Sequence, residues 1–195
     1  MLGLGQADPQ VEAGEVLAQR RPHGPPVDDP EQLARQAGAT VIAVASGEDR
    51  VRSVIELGAS RVIDHNVESV VDVVRDLTGG RGVDLIVDPV GSTLATSLAA
   101  LRDEGVLVSV GNAGGGALTV DFWPAVQRNQ TVIGVFMGTV LSRAAVRQTI
   151  DRRLADVAKG SLTVPIDRRF PLAEAGAAHR YAEDNKVLGR IVLIP

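Results

Sequence analysis

The sequence predicts an α/β protein built on a doubly wound parallel sheet. Between Glu31 and Phe136, short β-branched runs alternate with amphipathic segments of helical length. The runs are apolar along their whole length, as expected of strands that are covered on both faces. This alternation is typical of βαβ units, whose right-handed crossovers place helices on both sides of a sheet.

The individual elements follow from apolar spacing and from glycine residues that end several helices. Helical spacing predicts helices at 31–37, 49–57, 67–77 and 92–101, with Asn66 and Ser92 as N-caps. Ligands of such sheets bind beyond the carboxyl ends of the strands, so the residues after each strand are the candidate site. The predicted strands are 40–45, 61–63, 83–87, 105–110 and 131–136.

The two ends of the chain differ from this central part. Residues 1–30 are rich in proline, and we expect them to be mostly irregular, with 16–18 as the one short candidate strand. Late in the chain, helices are predicted at 142–159 and 172–183, and strands at 162–164 and 191–194 with no obvious partner edge. We therefore divide the chain into an irregular segment at 1–30, an α/β domain at 31–160 and a C-terminal part at 161–195.

Composition excludes several classes of protein. The 195 residues suffice for one ordinary domain, and the 45% of hydrophobic residues argue against wholesale disorder. No apolar run reaches the roughly 18 residues that a spanning helix needs. The net charge of −4 gives no reason to expect nucleic acid, and the absence of cysteine excludes thiolate zinc sites. We expect a cytoplasmic protein that binds neither nucleic acid nor membrane.

Polar residues after the first predicted strand indicate a phosphate site. An NAD-binding sheet usually ends its second strand with an acid that holds the ribose, but here Ala45 stands at that place, followed by Ser46 and Arg50. A guanidinium and a small hydroxyl suit a 2′-phosphate, which a carboxylate would repel. Alternatively, Arg50 is an ordinary polar residue in the first turn of a surface helix.

Three further loops follow predicted strands. His65 could pack against an adenine ring or bond a phosphate, or it is a plain surface residue. The turn at 88–91 contains proline and glycine, so it allows close backbone approach or is an ordinary strand-to-helix turn. The glycine-rich loop at 111–116 is not followed by Lys-Ser/Thr, which excludes a P-loop and favours a loop beside a nicotinamide pocket, or simple flexibility.

The sequence offers no catalytic constellation of its own. It has no nucleophile elbow, and its three histidines lack metal-ligand spacing. No catalytic residue is assigned and no metal site is expected. If the protein is an enzyme, a cofactor carries the chemistry.

Five stretches resemble the C-terminal half of medium-chain dehydrogenases/reductases of the zinc-independent quinone oxidoreductase type. They occur in the family's order and spacing and extend over about five-sixths of the chain. The resemblance implies a Rossmann-like domain, NADPH as cofactor without zinc, and a homodimer. The matching stretches are 33–45, 57–65, 77–91, 105–112 and 185–195.

The resemblance also implies where the cofactor would lie. Arg50 stands where relatives commonly carry a lysine that holds the NADPH 2′-phosphate, with Ser46 beside it. His65 occupies a position that is often tyrosine, near the adenosine. Asn185 falls where some relatives have an arginine that reaches the cofactor. The loop over the ribose and the nicotinamide end would be formed by Pro89, Val90, Val110, Gly111, Asn112 and Phe136.

Two features of the family are not found in this sequence. We expect the catalytic domain that precedes the nucleotide-binding domain in the family to be missing, so that 31–160 is a Rossmann-like nucleotide-binding domain and 161–195 is a remnant whose late strands would belong to the catalytic sheet. Residues 1–30 would then hold an altered or lost first strand. The glycine-rich first turn is replaced over 16–31 by an Arg/Pro/Asp-rich stretch of equal length, whose prolines cannot donate amides to a pyrophosphate. We hypothesise two compensating frame shifts, which translation of the coding DNA in all three frames tests.

Three functions remain open from the sequence. The first is an NADPH-dependent reductase that transfers hydride to a small-molecule acceptor such as a quinone or a conjugated carbonyl. The second is a non-catalytic, truncated fragment or dimerising module, in which the apolar run 131–136 pairs across a two-fold axis. The third is an enoyl-thioester reductase with the same fold.

Overall fold

The computed structural model describes residues 15–19, 30–184, 187 and 189–195. Six parallel strands form the larger sheet, in the order β3-β2-β1-β4-β5-β6. The predicted doubly wound parallel sheet is confirmed. The strands are β1 (Glu15–Gln19), β2 (Thr40–Ala45), β3 (Arg61–Asp64), β4 (Val83–Asp88), β5 (Leu101–Ser109) and β6 (Thr131–Gly134).

Helices connect the strands of the larger sheet, and further helices follow β6 along the chain. The helices predicted in the central part of the chain are present, shifted by a few residues at their ends. A 3₁₀ turn lies at Leu172–Glu174. The α-helices are α1 (Pro30–Gln36), α2 (Glu48–Glu56), α3 (Val70–Leu77), α4 (Leu94–Ala100), α5 (Trp123–Gln127), α6 (Met137–Val140), α7 (Ala144–Ala158) and α8 (Ala175–Asp184).

Strand β2 shows why the sheet is covered on both faces. Its side chains alternate between two buried clusters, because successive residues of a strand point to opposite faces. Ile42 and Val44 pack in the cluster that contains Val74 of α3, whereas Val41 and Ala43 pack in the cluster with Val54 of α2. Both clusters are aliphatic, in keeping with the 3% of aromatic residues in the chain.

The candidate strand at 16–18 is confirmed as β1. It lies at the centre of the sheet and pairs with β2 on one side and with β4 on the other. A first strand is therefore present rather than lost. Residues 1–14 and 20–29 lie outside the described residues, and with them lies most of the proline-rich stretch 16–31 that replaces the glycine turn.

The structure corrects the predicted helix caps. Ser69, not Asn66, caps α3, because the Ser69 Oγ accepts a hydrogen bond from the amide of Asp72 at 3.4 Å. The backbone amide of Asn66 instead donates to Oδ1 of Asp64 in the turn after β3. The N-cap of α4 is Thr93 rather than Ser92.

The predicted strand at 162–164 is wrong. The strand in this region is β7 (Ile166–Pro171), and Leu162 is instead a buried residue of the loop after α7. The last strand is confirmed as β8 (Arg190–Ile194) and pairs in parallel with β7. The two late strands, expected to lack a partner edge, thus pair with each other in a separate two-stranded sheet.

The long helix predicted late in the chain is confirmed as α7. Its apolar side chains are not buried: Leu154 is 63% exposed, and together with Val146, Ile150 and Leu162 it lines a cavity of about 540 Å³. Across the described part of the chain, none of the helices combines the length and the apolar character needed to cross a bilayer.

Candidate functional site

The candidate site lies at the carboxyl edge of the larger sheet. The chain moves outward from β1 in one direction through β2 and β3, and in the other through β4, β5 and β6. A crevice for ligands forms where the direction reverses, here between β1 and β4. Every predicted site residue within the described ranges follows the end of one of the strands β2 to β6.

Hydrogen bonds join the loops after β2 and β3. The amide of Gly47 donates to Oδ2 of Asp64 at 3.1 Å, and the amide of His65 donates to the carbonyl oxygen of Ala45 at 3.2 Å. Gly47 has a φ of 81°, a conformation that favours glycine. The structure thus brings Ser46 and the exposed His65 to neighbouring positions, with a carboxylate between their loops.

Arg50 lies in the first turn of α2, where the sequence placed it, but its side chain is buried. The residue is 4% exposed, and Nη2 donates to the carbonyl oxygen of Val187 at 3.3 Å. This contact connects the phosphate end of the predicted site with the segment before β8. Asn185, predicted to reach the cofactor, is two residues from Val187 but lies outside the described residues.

A buried carboxylate organises the loop after β4. Asp88 is 0% exposed, and its oxygens accept hydrogen bonds from the amides of Val90 (2.8 Å) and Gly91 (3.0 Å). The hydroxyl of Thr93 donates to both oxygens at 3.1 and 3.2 Å, and that of Ser97 donates at 3.0 Å. These charge-assisted bonds fix Pro89 and Val90 relative to the start of α4.

The loop after β5 is bound directly to the loop after β4. The amide of Val110 donates to the carbonyl oxygen of Asp88 at 3.0 Å, that of Ala113 to Pro89 at 3.1 Å and that of Gly114 to Val90 at 2.7 Å. Glycine makes this approach possible, since a Cβ on Gly114 would lie 2.6 Å from the Val90 carbonyl oxygen. Pro89, Val90, Val110, Gly111 and Asn112 are therefore brought together.

Phe136 follows β6 and stands apart from these loops. It is 72% exposed and serves as the N-cap residue of α6. The amide of Val135 donates to the carbonyl oxygen of Ser109 at 2.9 Å, which aligns the ends of β5 and β6. The aromatic ring is thus at the correct edge of the sheet, but no described contact joins it to Gly111 or Asn112.

Zinc ions in proteins are held by cysteine, histidine and acidic side chains. Cysteine is absent from the sequence. Within the described ranges, histidine and acidic side chains do not gather in any group of three or more that could hold a metal. The expectation of a zinc-free site remains a prediction.

Sequence reasoning missed two carboxylates that shape the site. Asp88 was noted only as part of a turn, although Thr93 and Ser97 lie four residues apart on one helical face and both donate to it. Asp64 was overlooked because it ends a strand with no motif around it. The role of Asp88 could have been predicted from these two hydroxyl residues, which follow a strand-terminal Asp at helical spacing.

The chain is similar to known dehydrogenases and reductases over most of its length. The zinc-binding dehydrogenase family model matches residues 31–155. A 2-haloacrylate reductase from Burkholderia is 35% identical over 83% of this chain and 50% of its own length. The solved quinone oxidoreductase from Pseudomonas syringae has a TM-score of 0.81 at 28% identity, covering 95% of this chain and 58% of that one.

A solved Escherichia coli quinone oxidoreductase in complex with NADPH gives a TM-score of 0.80 at 26% identity, over 93% of this chain and 57% of that one. The chain spans about half the length of the relatives that it matches. It belongs to the zinc-binding dehydrogenase family, as a relative of the quinone oxidoreductases within the medium-chain dehydrogenases and reductases.

Proposed function

We propose that this chain is the nucleotide-binding half of an NADPH-dependent reductase. Its acceptor would be a small molecule with a carbon–carbon double bond conjugated to a carbonyl, such as a quinone. One observation carries the proposal: the strand order β3-β2-β1-β4-β5-β6 gathers the predicted site residues at one edge, on both sides of the switch point. The relatives named for quinone and 2-haloacrylate reduction support the acceptor class, because both substrates contain such a conjugated system.

The described residues would orient the cofactor rather than act as acids or bases. The paired loops at 88–91 and 110–114 would border the nicotinamide ribose and the nicotinamide ring. Their backbone hydrogen bonds hold them in one arrangement before any ligand arrives, which reduces the entropy lost on binding. Bound NADPH would supply the hydride, and solvent would supply the proton that completes reduction of the acceptor.

The other end of the site would hold the adenosine half. Ser46 and His65 lie on loops that are bound to each other, and Arg50 follows Ser46 by four residues in the first turn of α2. To meet a 2′-phosphate, the Arg50 guanidinium would exchange its hydrogen bond with the Val187 carbonyl for bonds to phosphate oxygens. Such bonds are stronger than those to a neutral carbonyl because both partners are charged.

We also propose that two copies of the chain associate through β6. This strand is at the edge of the described sheet, and all four of its residues are exposed. Val132 and Ile133 are 39% and 43% exposed, which is unfavourable for apolar side chains beside open backbone donors and acceptors. A second copy would cover both through antiparallel strand pairing.

The test of the proposed activity is a pair of assays on the purified chain. NADPH is first titrated by fluorescence, and its oxidation is then followed with a para-benzoquinone as acceptor. Saturable binding supports the nucleotide-binding half, and oxidation that depends on the quinone supports the reductase. Absence of binding at millimolar NADPH would contradict both parts of the proposal.

A further inference from the structure

The carboxylate of Asp88, at the end of β4, is fully buried in the turn that leads to α4. Removing a carboxylate from water is costly unless hydrogen bonds compensate for the lost hydration. Here the compensation comes from two backbone amides and two hydroxyl groups. All four donor groups belong to residues 90–97, so this one carboxylate holds the turn and the first half of α4 together.

What Asp88 holds is the loop of Pro89, Val90 and Gly91. Two of its hydrogen bonds come from main-chain amides of that loop, and the other three come from the hydroxyls of Thr93, the N-cap of α4, and Ser97, in the middle of α4. Because α4 contributes Leu98 to the hydrophobic core, the loop is anchored to a rigid part of the molecule.

The position of this loop determines the position of the next one. The carbonyl oxygens of Pro89 and Val90 accept hydrogen bonds from the backbone amides of Ala113 and Gly114. The two loops are so close that side chains would be crowded at Gly91, Gly111 and Gly114. A Cβ on Gly91 would lie 2.8 Å from Oδ1 of Asn112, and one on Gly111 would lie 3.0 Å from the Pro89 carbonyl oxygen. A shift of the first loop must therefore displace the second.

We infer that Asp88 is a positioning residue for the nicotinamide end of the site. It acts through the main chain of the loop 89–91 on the loop 110–114, and does not itself contact the ligand. This inference rests on the proposed function, since it assigns the paired loops to the nicotinamide half of NADPH. It predicts that loss of the carboxylate weakens binding of that half selectively.

The experiment compares Asp88→Asn with Asp84→Asn in the full chain. Asp84 is a carboxylate on the same strand whose Oδ1 pairs with Nη1 of Arg81 at 3.0 Å, away from the paired loops. Each variant is titrated with NADPH and with 2′-phospho-AMP, which contains only the adenosine half. Amide hydrogen exchange is measured at Ala113 and Gly114.

We expect D88N to weaken NADPH binding about tenfold, the range for hydrogen bonds to a charged group. Binding of 2′-phospho-AMP should stay within about twofold of the unmodified chain, as single-site effects on a distant subsite are small. Protection of the Ala113 and Gly114 amides should fall in D88N and not in D84N. Equal weakening of both ligands, or unchanged exchange at these amides, would overturn the inference.

Two fallback variants and one further outcome separate the role of Asp88 from a failure to fold and from the proposed function. If D88N does not fold, Ser97→Ala and Thr93→Val each remove one hydroxyl donor and should show the same selective loss to a smaller degree. If the unmodified chain binds no NADPH but D88N still releases the Ala113 and Gly114 amides, the proposed function fails while the positioning of the loops by Asp88 stands.

Discussion

The Gly47 amide donates to Oδ2 of Asp64 at 3.1 Å, which places a carboxylate beside the loop that carries Ser46 and leads to Arg50. The bond holds the ends of β2 and β3 in register beyond their last paired residues, Ala45 and Asp64. It also puts negative charge next to the place where a 2′-phosphate would bind.

Asp64→Asn should therefore improve the preference for NADPH over NADH. The amide oxygen can still accept from the Gly47 amide, whereas the bond from the Asn66 backbone amide to the other oxygen is lost together with the charge. We expect NADPH to bind roughly three times more tightly, as for one unit charge near the surface, and NADH to change little. Asp76→Asn, an exposed acid in the last turn of α3, is the control of equal charge change. An equal gain for both cofactors would contradict a 2′-phosphate at this loop.

Arg50→Gln should act in the opposite direction. Loss of the guanidinium is expected to weaken NADPH about tenfold and NADH by less than about twofold, because only NADPH has the phosphate. Arg52→Gln, two residues further along α2 with a side chain 70% exposed, should change neither. Competitive titration of the two cofactors measures the ratio, and an unchanged ratio in R50Q would exclude Arg50 from the phosphate site.

Gly91→Ala and Gly115→Ala separate backbone strain from close packing. Both glycines have positive φ, 77° and 67°, so each alanine should cost about 1 kcal/mol in the free energy of unfolding. A Cβ at Gly91 also lies 2.7 Å from Cδ2 of Leu118, whereas at Gly115 no described atom lies within 4 Å. G91A should lose about 1 to 3 kcal/mol more, as in overpacked sites. Equal losses in chemical denaturation would refute the close approach of the two loops.

Tyr181 should make the stability of the chain depend on alkaline pH. Its hydroxyl donates to Oδ1 of Asp167 at 2.8 Å, and this hydrogen bond, aided by burial and by the Asp167 charge, raises the pKa of Tyr181 above its ordinary value. The folded state then holds the proton more tightly than the unfolded state does. The stabilisation is fully present below pH of about 10, where tyrosine of the unfolded chain titrates, and is lost as the pH rises through the folded pKa.

The measurement is direct because Tyr181 is the one tyrosine of the chain. Absorbance titration should give a midpoint above that of free tyrosine, and Asp167→Asn should lower it. Tyr181→Phe should be less stable at neutral pH and should lack this alkaline loss of stability. A midpoint at the free-tyrosine value in the folded chain would be inconsistent with the hydrogen bond.

Ile133→Lys should prevent the association through β6 that we propose. A charged side chain on an exposed edge strand opposes pairing with a second chain, and Ile133 is 43% exposed on β6. Val67→Lys, at an 80% exposed position in the loop after β3, is the matched control and should leave the dimer intact. Light scattering gives the mass of each variant, and an unmodified chain that is monomeric would remove the basis for the proposed pairing.

The sequence predicted the central part of the fold well because local signals agree there. Apolar runs of strand length and glycines at helix ends both mark the boundaries of β2, α2 and β4, and tertiary packing follows the same boundaries. The helix caps were less predictable. Asn66 and Ser69 are both good capping residues, and the choice between them depends on Asp64, which engages the Asn66 amide in a turn.

The last part of the chain and the paired loops were harder to predict from the sequence. Leu162 and Val164 have strand character, but strand pairing occurs instead at β7, where Phe170 aligns with Leu193 of β8. That alignment joins segments more than twenty residues apart, and no local pattern encodes it. The loop pairing of Val90 with Gly114 is likewise a relation between distant segments. For the candidate site, the positions after the strands were predictable from the sequence, but the contacts between those positions were not.

Fluorescence titration of the full chain with NADPH tests the central claim most directly. A saturable signal with a dissociation constant below about 1 mM, weakened by R50Q and by D88N but not by R52Q or D84N, is the expected result. It would mean that the edge formed by β2 to β6 binds the dinucleotide. A flat titration up to millimolar NADPH, with the chain folded by circular dichroism, would contradict it.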